Sequence, residues 1–139
     1  MKIIYTNSEG NLCVVHPAKG KDINAIFAKV IPEGVTDAKI VESSAIPTDK
    51  TFRNAWVKSN QAIETDFPKA KEIAHDCRRC KRSELFAPLD IEVSIPSKAT
   101  AAESARQAIR ETYDDIQEDI DAATTESGLK SVLVDSGVL

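Results

Sequence analysis

The sequence predicts an α+β protein of 139 residues: a small N-terminal β-hairpin and sheet with one helix, followed by a C-terminal helical arm or helical hairpin. Three observations predict it. β-rich apolar runs separated by Asn, Gly and Pro fill residues 1–65, the apolar spacing becomes helical from Asp66 onward, and helix-start signals precede the periodic runs. The expected division is therefore a head over 1–65 and a helical arm over 66–139.

Lys2-Ile-Ile-Tyr-Thr6 and Leu12-Cys-Val-Val-His16 flank Asn7-Ser-Glu-Gly-Asn11, an arrangement that reads as a hairpin. Pro17 ends the second strand by removing a ladder donor. Asp22 is placed to cap a short helix whose apolar set, Ile23, Ile26, Phe27 and Val30, recurs at i, i+3, i+4 and i+7. Pro32-Glu-Gly34 stops that helix. A third strand is expected at Ala38–Glu42, and Ile46-Pro47-Thr48-Asp49 reads as a turn leading to Thr51–Trp56. Phe52 and Trp56, four residues apart, are the expected core anchors.

In the arm, Asp66 and Pro68 open a helix expected over about 66–86, with Ala70, Ile73, Ala74, Cys77 and Cys80 on a buried stripe. Lys71, His75, Arg78 and Arg82 fall on the solvent side. Pro88 and Pro96 are expected to break it. Thr100-Ala-Ala-Glu103 matches a capping box and opens a second helix over about 100–123. Its stripe, Ala102, Ala105, Ile109, Tyr113, Ile116, Ile120 and Ala123, runs close to a heptad. Gly128 and a short, weakly apolar tail follow.

With one Trp, two Tyr and four Phe, the core must rest on Ile, Val, Leu and Ala, which leaves little packing for a deep pocket. No run of about 18 apolar residues suggests a membrane span, and no export-signal pattern is visible. The three cysteines form an odd set, consistent with reduced thiols in a cytoplasmic setting. The net charge of -4 disfavours general nucleic-acid binding, but the charge is uneven. Lys69, Lys71, Arg78, Arg79, Lys81 and Arg82 make one half-helix basic. Glu111, Asp114, Asp115, Glu118, Asp119 and Asp121 make another acidic. The two helices therefore suit an antiparallel hairpin with opposed charged faces, or the same contact with a neighbouring subunit.

Cys77-Arg-Arg-Cys80 lies about three turns into its helix, where the helix dipole cannot activate a thiol as it does at a helix start. Cys13, His16, Cys77 and Cys80 would make a four-ligand zinc set, but residues three apart on a straight strand point to opposite faces. The two helical cysteines read instead as small core thiols. His16 and His75 have no nucleophile and acidic orienter arranged around them, and His75 reads as an exposed residue beside Arg78 and Arg79. The five glycines are scattered singly, without a phosphate loop. The acidic cluster lacks the Ca²⁺-loop spacing. No catalytic, cofactor or metal residues are expected.

The run Ile46-Pro-Thr-Asp-Lys-Thr-Phe-Arg-Asn-Ala-Trp56, followed by Asp66-Phe-Pro-Lys-Ala-Lys-Glu-Ile73, resembles a family of small proteins encoded in tailed bacteriophages and prophages. In that family a similar Ile-Pro-Thr-Asp-Arg-Thr-Phe-Arg-Asn-Ala-Trp run joins an Asp-Met-Pro-Lys-Ala-Arg-Glu-Ile run and a charged helical tail. The resemblance extends to about residue 85. Cys77 and Cys80 lie outside its pattern. It implies a virion or tail protein, present in the virion and, during assembly, in the host cytoplasm. The expected function is a non-enzymatic structural subunit of the tail or head-tail region that binds other virion proteins, in several copies or as a homo-oligomer. The alternatives are a tail or tail-fibre assembly chaperone absent from the mature particle, and a small regulator binding nucleic acid or a host protein through the basic helix. Neither nucleic acid nor membrane is the expected partner. Arg78, Arg82, Ile109, Tyr113, Ile116 and Ile120 are the candidate interaction residues.

Overall fold

The computed structural model describes every residue except Gln61. The fold is α+β, as expected, and the chain forms two compact units, Met1–Asp66 and Phe67–Leu139.

In the first unit, strands β1 (Lys2–Thr6), β2 (Leu12–Val15) and β3 (Lys39–Val41) make an antiparallel sheet of order β2-β1-β3. The register pairs Ile4 with Val14 on one side and Lys39 on the other. Asn7 fixes the hairpin loop, because its Oδ1 accepts from the amides of Glu9 and Asn11 at 3.0 and 2.8 Å. Gly10, at φ 80°, supplies the left-handed residue. Ile3 and Ile4 are both fully buried; since successive strand residues point to opposite faces, both faces of β1 are covered.

Helix α1 (Ile23–Val30) forms over the expected residues, with the Asp22 carboxylate accepting from the Asn24 amide at 3.0 Å. None of its residues is fully buried, and Val30 remains 37% exposed.

The stretch after Asp49 is not continuously helical, although Phe52 and Trp56 lie four residues apart. A 3-10 turn spans Arg53–Ala55, and Trp56 begins strand β4 (Trp56–Ser59), which pairs with β5 (Ala62–Thr65) as a second, two-stranded sheet. Backbone bonds decide this. The Ala55 amide donates to Phe52 O at 2.8 Å, and Ala55 O accepts from Asp66 N at 2.8 Å. Phe52 and Trp56 are nevertheless both buried, as core anchors should be. Trp56, Ile4 and Ile63 form a cluster against which Leu12, Val14, Val41 and Ile46 pack.

Asp37 ties this unit together. Its carboxylate accepts from Thr6 Oγ1 at 2.6 Å and Thr6 N at 3.1 Å, and it pairs with Lys58 Nζ at 3.4 Å. The Thr6 hydroxyl bond, above all, holds the carboxyl below the ordinary aspartate value of 3.8, against some burial, with the Thr6 amide and Lys58 also helping. A lowered native pKa means the stabilisation is fully present above 3.8 and disappears as pH falls through the native value. Denaturant unfolding from about pH 5 to pH 2 should show the first unit weakening in the wild type and a flatter profile in Asp37→Asn. At neutral pH the substitution should cost about 1–2 kcal/mol, the carboxylate being partly solvated. Identical pH profiles would show that Asp37 does not carry this dependence.

The second unit comprises α2 (Phe67–Val93), α3 (Ala99–Ala122) and α4 (Glu126–Asp135). Helix α2 runs well past residue 86 with Pro88 inside it. The cost of a proline in a helix interior, about 3 kcal/mol, is overridden by packing against α3. The break falls instead around Pro96, where Ser94, Ile95, Lys98 and Ala99 donate to carbonyls three or four residues back.

Those bonds also explain why the expected capping box does not form. Helix α3 starts at Ala99 after an αR Lys98, and Ala102 N donates to Lys98 O at 2.9 Å, so backbone acceptors satisfy the start of the helix. Glu103 turns outward to Arg106 and Arg110.

The expected tail is helix α4. Thr125 Oγ1 caps it by accepting from Gly128 N at 3.0 Å. The helix closes on Gly137, at φ 71°, with Val138 N donating to Leu133 O and the Val138 side chain buried. Leu129 and Leu133 of α4 join Ala70, Ala74, Ala102, Tyr113, Ile116 and Ile120 in the core. Among the described residues, no helix is long and apolar enough to cross a membrane.

Candidate protein-interaction surface

Within the hairpin, the expected meeting of the basic and acidic helices is seen at Asp121. Lys71 Nζ donates to Asp121 O at 2.6 Å, and His75 Nε2 lies 2.9 Å from Asp121 Oδ1. His75 is thus half-buried and partnered rather than free on an exposed face. At the other end of the hairpin, Arg106 lies 3.3 Å from Asp90.

Arg78 corrects the sequence reading most. It is 4% exposed, and its Nη1 donates to Tyr113 O at 3.0 Å. Burial disfavours its charge most, followed by Arg82 and Arg79, while Asp114 and Asp121 favour it. The reason is packing: Ala70 and Ala74 are the other buried residues of α2, and side chains that small let α3 come close enough to cover the guanidinium. Arg78 is therefore a hairpin clasp and not a surface contact.

Tyr113, Ile116 and Ile120 are likewise buried, and Ile109 is half-buried. They pack inside the helical unit, so they do not form an exposed docking stripe. Of the candidate interaction residues, Arg82 and Ile109 retain exposed surface.

Cys80 is exposed and Cys77 half-buried, which corrects the reading of both as core thiols. Burial, then Cys80 and Asp76, push the Cys77 thiol up, away from the thiolate form. Cys13 is half-buried in β2, and His16 lies just beyond that strand, exposed. Among the described residues, no three or more His, Cys, Asp or Glu side chains are grouped to hold one metal ion. The Cys77→Ala/Cys80→Ala protein should keep its fold and lose no more than about 1–2 kcal/mol. Thermal melting checks the stability, and stoichiometric zinc in the purified wild type would contradict the underlying reading.

A basic and aromatic concavity of about 540 Å³ between α2 and α3 is lined by Arg79, Arg82, Phe86, Asp90, Arg106 and Arg110. The Arg106 and Arg110 guanidinium carbons lie 5.7 and 5.8 Å from the Phe86 ring centroid. Glu103 accepts from Arg110 at 2.9 Å and from Arg106 at 3.0 Å, and the Arg110 bond holds its carboxyl below the ordinary range. Arg82 was a candidate from the sequence, but Arg106 and Arg110 were not, because they reach it only through the hairpin. The opposite charge comes from Glu111, Asp114, Asp115 and Glu118, all exposed on α3.

No protein-family model, curated protein or solved structure matches this chain.

Proposed function

We propose that this chain is a non-enzymatic bacteriophage virion-associated structural protein, a tail or head-tail accessory subunit that binds other virion proteins. The observation that carries the binding role is helix α1, where Ile23, Ile26, Phe27 and Val30 share one face yet none is fully buried. An amphipathic helix with its apolar stripe only half covered suits a protein neighbour. The virion setting rests on the resemblance of Ile46–Trp56 and Asp66–Ile73 to tailed-phage proteins.

The regulator reading loses support from the basic helix itself. Lys71, Arg78 and Arg79 are engaged with Asp121 O, Tyr113 O and Asp76, so much of the basic face already has partners. The assembly chaperone remains the second reading, because the same apolar face would serve a transient partner. Cross-linking mass spectrometry separates these roles. Lys29, exposed in the last turn of α1, should cross-link to another virion protein within purified particles. Cross-links confined to complexes that precede the finished particle would assign the chaperone role.

A further inference from the structure

We propose that a second copy of this chain places the acidic face of its α3 in the basic concavity between α2 and α3, joining copies through a charge-matched contact. The inference deepens the proposed role by naming a surface through which copies meet. It is tested on the purified chain alone, so its failure would leave the virion reading standing.

The concavity has a positive surplus. Four guanidiniums, Arg79, Arg82, Arg106 and Arg110, face three carboxylates, with Asp76 on Arg79, Asp90 on Arg106, and Glu103 shared by Arg106 and Arg110. Arg82 makes no ion pair among the described residues and lies close enough to buried Arg78 to oppose its charge. A carboxylate arriving beside Arg82 would relieve that repulsion.

The acidic face has the complementary deficit. Glu111, Asp114, Asp115 and Glu118 recur at helical spacing on the side of α3 opposite buried Tyr113, Ile116 and Ile120. Residues 111–121 contain no base. Among the described residues, Asp115 and Glu118 form no ion pair.

Within one copy the near edges of the two surfaces, Arg110 and Asp114, lie one turn apart, but their far ends stand clear of each other. Arg106 and Glu118 stand on the same helix twelve residues apart, which at about 1.5 Å per residue is roughly 18 Å along its axis. A second copy removes this separation. With Arg106 and Arg110 on the same helix as the acidic face and Arg82 beside them on α2, antiparallel approach of two α3 helices about a two-fold axis brings each acidic face to the other's arginines and makes both contacts at once. The charges set register and orientation, and the contact weakens with salt.

The test is sedimentation velocity on the full chain and two charge-reversed variants, Arg82→Glu/Arg110→Glu and Asp115→Lys/Glu118→Lys. The wild type should dimerise at low salt, with a dissociation constant at least about tenfold weaker at high salt. Each variant alone should be monomeric with unchanged helical circular dichroism. An equimolar mixture should form a heterodimer within about tenfold of the wild-type affinity, because the swapped charges again oppose one another. Recovery on mixing also shows that neither variant has misfolded. A monomeric wild type at low salt, a dimer indifferent to both variants, or variants that ignore each other when mixed would overturn the proposal. So would a wild type that stays monomeric but binds duplex DNA through Arg82 and Arg110, which would assign the concavity to a polyanion.

Discussion

Ile120→Asp is expected to unfold the helical unit while leaving the β-rich unit intact. Ile120 is 0% exposed on α3, in the core that also contains Tyr113, Ile116, Leu129 and Leu133. A carboxylate there would be buried without a cation or donor, a change whose cost exceeds about 4 kcal/mol and rivals the whole stability of a small unit. Far-UV circular dichroism should lose most of its helical signal, while amide resonances of residues 1–66 remain dispersed. Ile116→Asp should act in the same direction. Any loss of association in these variants would follow from unfolding, because neither side chain lies on the surface. Asp115→Lys, at an exposed position, should change stability by no more than about 0.5 kcal/mol. A stable, fully helical Ile120→Asp protein would mean that α3 is not held by this core.

Trp56→Ala is the corresponding change in the first unit, expected to cost about 3–5 kcal/mol and to unfold it while the helices survive. Trp56 contributes the largest side chain of the cluster with Ile4 and Ile63. Its Nε1 is buried and has no hydrogen-bond partner among the described residues. Trp56→Phe keeps most of the apolar bulk and breaks no hydrogen bond among the described residues, so it should cost clearly less than the alanine change. Residue-resolved hydrogen exchange on the full chain would read both effects. Protection retained throughout residues 1–66 in Trp56→Ala would show that the indole is not the anchor of this unit.

The parts of the fold legible in the sequence are those where local pattern and tertiary packing agree. The Asn7–Asn11 hairpin and the Asp22-capped helix are set by turn chemistry and by apolar spacing within a few residues. The pairing of α2 with α3 was legible too, because it depends on the apolar stripe along α3, whereas most of the acidic face of α3 turns to solvent.

What was missed depends on neighbours distant in sequence. Pro88 signals a break, but α3 holds α2 together through it. Thr100 and Glu103 have the capping-box spacing, yet the turn after α2 already supplies the backbone acceptors. Helix α4 did have a local signal, Thr125 as a cap with Leu129 and Leu133 four residues apart, obscured by Gly128 near its start. Arg78 lies in a basic run and reads as solvated. Only the close approach of α3 over Ala70 and Ala74 makes it a buried clasp. Likewise the concavity joins Arg82 and Phe86 to Arg106 and Arg110 across a hairpin, so no single segment displays it.

The central claim is that this chain is a lasting part of a phage particle. Quantitative mass spectrometry of gradient-purified particles from a phage that encodes it tests this most directly. The expected result is the chain at a fixed, reproducible ratio to the major tail or head proteins, retained through repeated purification. Its presence in the infected-cell lysate but absence from the particles would contradict the account.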